Sequence, residues 1–453
     1  MAHELTLQEL EDFSREFNAD HTSQVIARAA KRSGVLEASY NDAVSRRLTN
    51  VFSTELDTEN VTNQLQSGRC WLFATLNVLR HHFGKEYKAK NFTFSQAYNF
   101  FWDKVERANN FYNYVLETAN KPLDDREVKA YFDFAGHDGG QWHMAISLVE
   151  KYGVVPTYAM PETANTNNTS ALAEALAQKE KKDALVLRKL VQAGDLEAAE
   201  KARKKFLSEV YRMTAIAVGE PPKKFDLEYR DDDKKYHLDK NLTPIEFYNK
   251  YFKGVNLDDY VVLTNAPDHE YNKLFALPSE DNVQGKYPIK LLNVPMEFLT
   301  SAAVAQLKDG EAVWFGNDVG KQKENKTGFL ATNLYKLDEL FGVDLTMSKK
   351  ERLETGVGEV SHAMTLVGVD EDNGDVRQWK VENSWGEKVA KKGYYIMSQD
   401  WFEEYVYEVV VHKKYLTPEQ QKLAEGPAEK LPAWDSLASV SYTHLTLPTN
   451  REV

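Results

Sequence analysis

The sequence predicts an α+β fold, with helices early in the chain and strands late. Two observations carry that reading. Residues 165–218 are rich in Ala, Lys and Glu at helical period. Beyond residue 260 come short β-branched and aromatic runs: "YVVLT", "AVWFGND", "AMTLVGVD", "RQWKVENSW", "GYYIM" and "YVYEVVVHKKYL". Elements segregated in this way belong to the α+β class. The 453 residues are 42% hydrophobic and 12% aromatic, enough for two or three packed domains or one with large insertions.

The elements follow in order. Residues 1–60 read as a polar helical segment, opened by Thr6 and Glu9 spaced as a capping box. Residues 61–160 contain "LQSGRCWLFATLNVL", where a turn at Gly68 runs into an apolar helix. The aromatic-rich "NFTFSQAYNFFWDKVERANNFYNYVLE" follows, then "GHDGGQWHMAISLVEKYGVVP", a Gly turn feeding a helix that stops at Gly153 and Pro156. Residues 161–300 are expected to be a mostly helical insertion. In it, "KDALVLRKLVQ" and "LEAAEKARKKFLSEVYRM" flank "AGD" as a helical hairpin. "LTPIEFYNKYF" adds a helix with Thr243 as cap, Pro244 at its first position and Glu246 closing the box. Residues 301–415 hold most of the late strands, and 416–438 form a C-terminal arm. Residues 439–453, ending "SYTHLTLPTNREV", have no helical period and are expected to be a non-native or atypical tail. No internal repeat is present.

Charge and cysteine usage narrow the function classes. A net charge of −13 disfavours coating nucleic acid or anionic membrane. The local run Lys201–Lys205 reads as a solvated helix face. No apolar run reaches membrane-spanning length, and the N-terminus has no signal-like segment. The single cysteine, Cys70, allows neither an internal disulfide nor a cysteine zinc cage. A cytoplasmic protein with no membrane partner, metal or cofactor is expected.

Cys70 is either a small core residue or a nucleophile. A thiol reacts as the thiolate, and a helix N-terminus favours an anion. A base is also needed. His81 and His82 lie too far down the same helix, about 16–18 Å away. His362 is the better choice. Asn373-Gly374 signals a hairpin between runs 364–369 and 377–381. With those two residues as the loop, His362 faces Trp385 and Asn383 faces Met364. His362 and Asn383 therefore meet at the hairpin's open end, where an amide oxygen can fix the imidazole tautomer. Reading "DEDNGD" as a calcium loop fails, because Gly374 takes a ligand slot and Val381 stands where a bidentate Glu is needed. An oxyanion site would use the Cys70 N–H. Gln64, six residues earlier, is a second donor if the turn folds it back; taken alone it reads as a surface amide.

These segments resemble the papain-like cysteine peptidases. "VTNQLQSGRCWLFA" is similar to the nucleophile segment, "FTFSQA" to the stretch after the central helix, and "DGGQWHMAISLVEKYGVVP" to the cleft glycines and their helix. "VSHAMTLVGVD" and "VENSWGEKVAKKGYYIMSQDWF" are similar to the His and Asn strands. His362 and Asn383 follow Cys70 by 292 and 313 residues, against about 130–150 in papain-type chains. "SGRCW" replaces the usual "CGSCW". "VWFGNDVGK" and "PAWDSLA" extend the resemblance to the bleomycin hydrolase / aminopeptidase C branch, up to about Ala438.

The resemblance implies a papain-like fold: a helical left domain, a β-barrel-like right domain, a large helical insertion and a C-terminal arm in the cleft. It implies Cys70 as nucleophile, His362 as general base and acid, Asn383 as orienter and Gln64 as oxyanion donor. Trp385 would shield the His–Asn bond. Asp138, Gly139 and Gly140 would line the substrate cleft. The implied activity is an intracellular aminopeptidase acting on peptides with a free N-terminus, in a homohexamer. An extended C-terminus displaces the terminal carboxylate that such enzymes set against the substrate amine, so an endopeptidase or self-blocked form is the alternative. Another Cys-His-Asn acyl transferase and a non-enzymatic ring-forming scaffold are the remaining alternatives.

Overall fold

The computed structural model describes residues 2–58 and 60–438. The expectation for residues 439–453 lies outside the described residues. The architecture is mixed α/β, with helices dominating up to Val218 and one large mixed sheet after Tyr260. Five helices frame the first half: α1 (Cys70–Tyr87), α2 (Gln96–Glu117), α3 (Trp142–Tyr152), α4 (Ser170–Gln192) and α5 (Leu196–Val218). The sheet is built from β1 (Tyr260–Thr264), β2 (Lys273–Ala276), β3 (Lys290–Asn293), β4 (Val313–Asn317), β5 (His362–Asp372), β6 (Asp375–Glu382), β7 (Tyr394–Ser398) and β8 (Val406–His412). Their spatial order is β2-β3-β1-β8-β4-β5-β6-β7. All neighbours are antiparallel except β3 and β1.

Local chemistry accounts for the elements. The capping boxes at Thr6/Glu9 and Thr243/Glu246 both form. The helical hairpin is α4 and α5, joined by a turn in which Gly194 has φ +78° and Asp195 caps α5. The basic run 201–205 sits on α5, where Arg203 and Lys204 pair with Glu200, and Lys205 with Glu209. It is a charge-balanced solvated face, as expected.

The region 161–300 is less helical than expected. It contains an antiparallel hairpin, Phe225–Arg230 with Tyr236–Leu242, besides β1, β2 and β3. The hairpin's charges disguise a period of two. Phe225 and Leu227 are buried, and Tyr229 packs edge-on to Phe83 and Phe92.

Two cores meet at the β5 strand, which alternates its faces. Ala363 joins the cluster around α1, α2 and α3, while Met364 and Leu366 join the cluster with Phe315, Trp379 and Trp401. Helix α1 lies directly on this sheet: Thr365 donates to the Ala74 carbonyl (3.5 Å) and the Trp314 indole to the Trp71 carbonyl (3.2 Å). Leu76, Leu79 and Phe83 are buried along it, each stabilising the fold by about 1.5–3 kcal/mol. At its far end Arg80 pairs with Glu382 of β6, and His81 bonds the same carboxylate at 2.8 Å. His81 is thus a structural partner of the sheet.

The β5–β6 hairpin turns at Asn373-Gly374, with φ +54° and +95°. Its register is broken twice, between Asp370 and Glu371 and between Leu366 and Gly368. The two bulges compensate. Asp372 faces Asp375 at the turn, and Thr365 faces Glu382 near the open end, as an unbroken ladder would have it.

Candidate active site

Cys70 is the first residue of α1, buried to 2% exposure. The first-turn amides of a helix have no intrahelical acceptor, so this end favours an anion. The preceding turn is held by Arg69, itself fully buried. Its guanidinium takes both Glu162 oxygens (2.7 and 3.2 Å), the Thr166 carbonyl (2.7 Å) and the Ser67 hydroxyl (3.0 Å). It also lies over the Phe73 and Phe100 rings. The arginine of "GRCW" therefore fixes the Cys70 turn without a disulfide.

His362 opens β5 and Asn383 follows β6. His362 Nε2 and Asn383 Oδ1 are 2.8 Å apart, and both side chains are buried. The Ser384 N–H also donates to Asn383 Oδ1 (2.7 Å), which makes that atom the acceptor. The proton therefore sits on Nε2, and the Nδ1 lone pair is the basic position. Nδ1 is buried and has no hydrogen-bond partner among the described residues. Burial pushes the His362 pKa down to about 4, the Asn383 bond opposes this, and the nearby Lys323 charge adds to it. At neutral pH the ring is a neutral base.

Gln64 is buried, not a surface amide. Its Nε2 donates to the Ser67 carbonyl (2.6 Å), leaving the second amide hydrogen, and its Oε1 accepts from the Ser384 hydroxyl (2.6 Å). The Gln64 N–H also donates to the Ser384 carbonyl (2.8 Å). Ser384 thus ties the Cys70 turn to the Asn383 turn. Sequence reasoning passed over it, although it lies directly beside Asn383.

Trp385 lies 4.9 Å from the His362 ring, centroid to centroid, tilted by 33°. Lys323 Nζ also lies over the Trp385 ring, 4.4 Å from its centroid, and burial lowers the Lys323 pKa to about 8. Lys323 was also not singled out from sequence, and only its position after "VWFGNDVGK" hinted at it.

The glycine loop packs against α1. The Trp71 indole donates to the Asp138 carbonyl (2.7 Å), and Arg107 to the Gly139 carbonyl. A Cβ on Gly140 would lie 2.8 Å from the Trp71 ring and 2.9 Å from Arg107 Nη2, so only glycine fits. The Asp138 carboxylate is buried against Lys104 Nζ at 2.5 Å. Its visible role is to anchor this loop.

The arrangement holds a thiol at a helix start, a neutral imidazole with a fixed tautomer, an orienting amide and a second buried amide. That constellation suits acyl transfer through a thioester. Three comparisons bear on it. The Peptidase C1-like family model matches residues 4–438. Aminopeptidase E of Lactobacillus helveticus is 74% identical over 97% of this chain and 100% of its own, and aminopeptidase C of the same organism is 42% identical over 98% and 100%. The crystal structure of PepW from Lactobacillus rhamnosis HN001 superimposes with a TM-score of 0.95 at 44% identity, covering 97% of this chain and 100% of that one.

Proposed function

The chain belongs to the peptidase C1-like family and is a cysteine-type aminopeptidase, and from that premise we propose that Cys70, His362, Asn383 and Gln64 carry its reaction. The observation that supports this best is the His362–Asn383 pair, whose bonding leaves Nδ1 as the base. His362 Nδ1 takes the Cys70 proton, and the thiolate attacks the peptide carbonyl. The Cys70 N–H and the remaining Gln64 amide hydrogen stabilise the oxyanion. His362 then protonates the departing amine, leaving a thioester. Next it deprotonates water, which releases the acid and restores the thiol. Trp385 keeps water from the His–Asn bond, and Asp138, Gly139 and Gly140 form one wall of the cleft.

The finer architecture is a papain-like pair of domains, helical on the left and barrel-like on the right, with the 416–438 arm lying in the cleft. The arm's anchorage supports this. Leu431 N–H donates to the Ala276 carbonyl (2.9 Å), Asp435 pairs with His269 (3.1 Å) and Ser436 bonds Asp268 (2.5 Å). Leu437 and Ala438 are buried. An arm so placed limits the substrate to one residue before the scissile bond.

A homohexamer is supported by the Leu7–Ala19 helix, which exposes Leu7, Leu10, Phe13 and Phe17 together. A cytoplasmic location fits a chain with a single cysteine. Among the described residues no helix is long and apolar enough to cross a membrane.

The test compares leucine 7-amido-4-methylcoumarin with its N-acetylated form. The free-amine substrate is expected to be cleaved with much the higher kcat/KM. Equal rates would contradict the aminopeptidase reading. Sedimentation velocity checks the hexamer.

A further inference from the structure

Lys323 is a cation beside the His362–Trp385 pair that the mechanism above does not use. Its backbone is held in place. The strand Lys323–Glu324 pairs with Phe329–Leu330, which runs alongside β7 at the end of the sheet. The Gln322 amide exchanges hydrogen bonds with the Tyr335 N–H (2.8 Å) and carbonyl (2.9 Å), and the Tyr335 hydroxyl donates to the Lys323 carbonyl (3.2 Å). From that base the side chain reaches the site. Nζ lies 4.4 Å from the centroid of the Trp385 ring, which is itself 4.9 Å from the His362 ring. Two more deeply buried lysines are fully answered. Lys349 Nζ donates to Asn265 Oδ1 (2.9 Å) and to the Glu403 and Val406 carbonyls (3.0 and 2.6 Å), and Lys104 Nζ pairs with Asp138 (2.5 Å). Lys323 differs. Among the described residues its Nζ has no ion pair and no hydrogen bond, and Asp318 acts on it through its charge alone.

A half-buried ammonium without a counter-ion favours an anion brought by a ligand. The arm and Trp385 belong to different sides of the site. Leu437 and Ala438 join the cluster of Trp71 and Ala363, whereas Trp385 packs against the cluster of Met364 and Trp379. With the arm on the amino-terminal side of the scissile bond, the Trp385 side is left to the departing amine that His362 protonates. We propose that Lys323 is a specificity-determining residue that binds a carboxylate on the carboxyl-terminal side of the bond to be cleaved. The carboxylate is either the main-chain terminus of a dipeptide or the side chain of an Asp or Glu directly after the bond. The Trp385 face steadies the ammonium by a cation–π contact while its N–H groups stay open to the ligand. In support, burial lowers Lys323 to about 8, and Asp318 only partly opposes it. A bound carboxylate would restore the full charge. The inference rests on the cysteine aminopeptidase reading and deepens it.

The test uses full-length protein and two pairs of substrates: Leu-Gly with Leu-Gly-amide, and Leu-Asp-amide with Leu-Asn-amide. Release of leucine is followed, and the readout is the ratio of kcat/KM within each pair, carboxylate over neutral. Any effect of Lys323 on the His362 base acts on both members and cancels in that ratio. The wild type is expected to favour the carboxylate in at least one pair. Lys323→Met is expected to lower that ratio about tenfold, through KM. Lys323→Arg is expected to keep it within about threefold. Loss confined to the Leu-Gly pair assigns the main-chain terminus, loss confined to the Leu-Asp-amide pair assigns the side chain, and loss in both assigns either carboxylate. No wild-type preference, a Met variant with wild-type ratios, or an Arg variant as impaired as the Met variant would each overturn the proposal. Should Lys323→Met fold poorly, Lys323→Gln provides the same readout. Covalent labelling of Cys70 by an epoxide inhibitor is measured in parallel. Labelling without carboxylate preference refutes the Lys323 role alone, whereas no labelling refutes the peptidase reading.

Discussion

Glu382 and Glu408 stand on two strands of the same sheet, each 1% exposed, and their surroundings are opposite. Glu382 is answered on both oxygens, by Arg80 and by His81 at the far end of the Cys70 helix. Burial opposes its charge, but Arg80 and His81 outweigh it and hold the carboxyl below the usual range. Among the described residues Glu408 has no such partner, and burial raises it to about 7. The same residue type at the same depth thus does two different things. The paired glutamate fixes the helix carrying Cys70 to the hairpin carrying His362 and Asn383. The unpaired one holds its proton up to near neutral pH, because burial disfavours its charged form.

Breaking the paired glutamate should cost most. Arg80→Met strands the Glu382 charge and is expected to lower stability by about 3–5 kcal/mol in urea unfolding. A loss below about 1 kcal/mol would mean the pair does not hold the two halves together. Next is the orienting amide. Asn383→Ala is expected to lower kcat about a hundredfold with KM little changed, because His362 loses its fixed tautomer. An unchanged kcat would remove Asn383 from the mechanism.

The two glutamates should also differ in the sign of their pH dependence. A lowered carboxyl contributes stability above its unfolded pKa of 4.5, lost as pH falls through the folded value. A raised one binds its proton more tightly when folded. Its contribution is full below 4.5 and is lost as pH rises toward 7. Glu408→Gln is therefore expected to flatten the fall in melting temperature between pH 4.5 and 7, and to stabilise the protein at pH 7 by about 2 kcal/mol. An unaltered slope would show that Glu408 is not raised. The smallest effect is expected from Trp385→Ala, about tenfold in kcat, as water reaches the His362–Asn383 bond.

Features set by neighbours in sequence were legible before the structure. Asn373-Gly374 announces its hairpin, and so brings His362 and Asn383 together, because turn type depends on two residues. The capping boxes at Thr6 and Thr243 are equally local. What escaped depends on distant partners. The compensating bulges in β5 and β6 could not be read from alternation. The Phe225–Leu242 hairpin was hidden by its charges. Ser384 matters only because Gln64, 320 residues earlier, folds against it. Glu408 looked like any polar residue in a valine-rich strand, and its burial follows from Gly316 on the neighbouring strand.

The most direct test of the central claim is intact-mass analysis after treatment with an irreversible cysteine-peptidase epoxide. One adduct per chain is predicted, mapped to Cys70, absent in Cys70→Ala and strongly slowed in His362→Ala. A wild-type protein that remains unmodified, or a His362→Ala variant labelled at the wild-type rate, would contradict it.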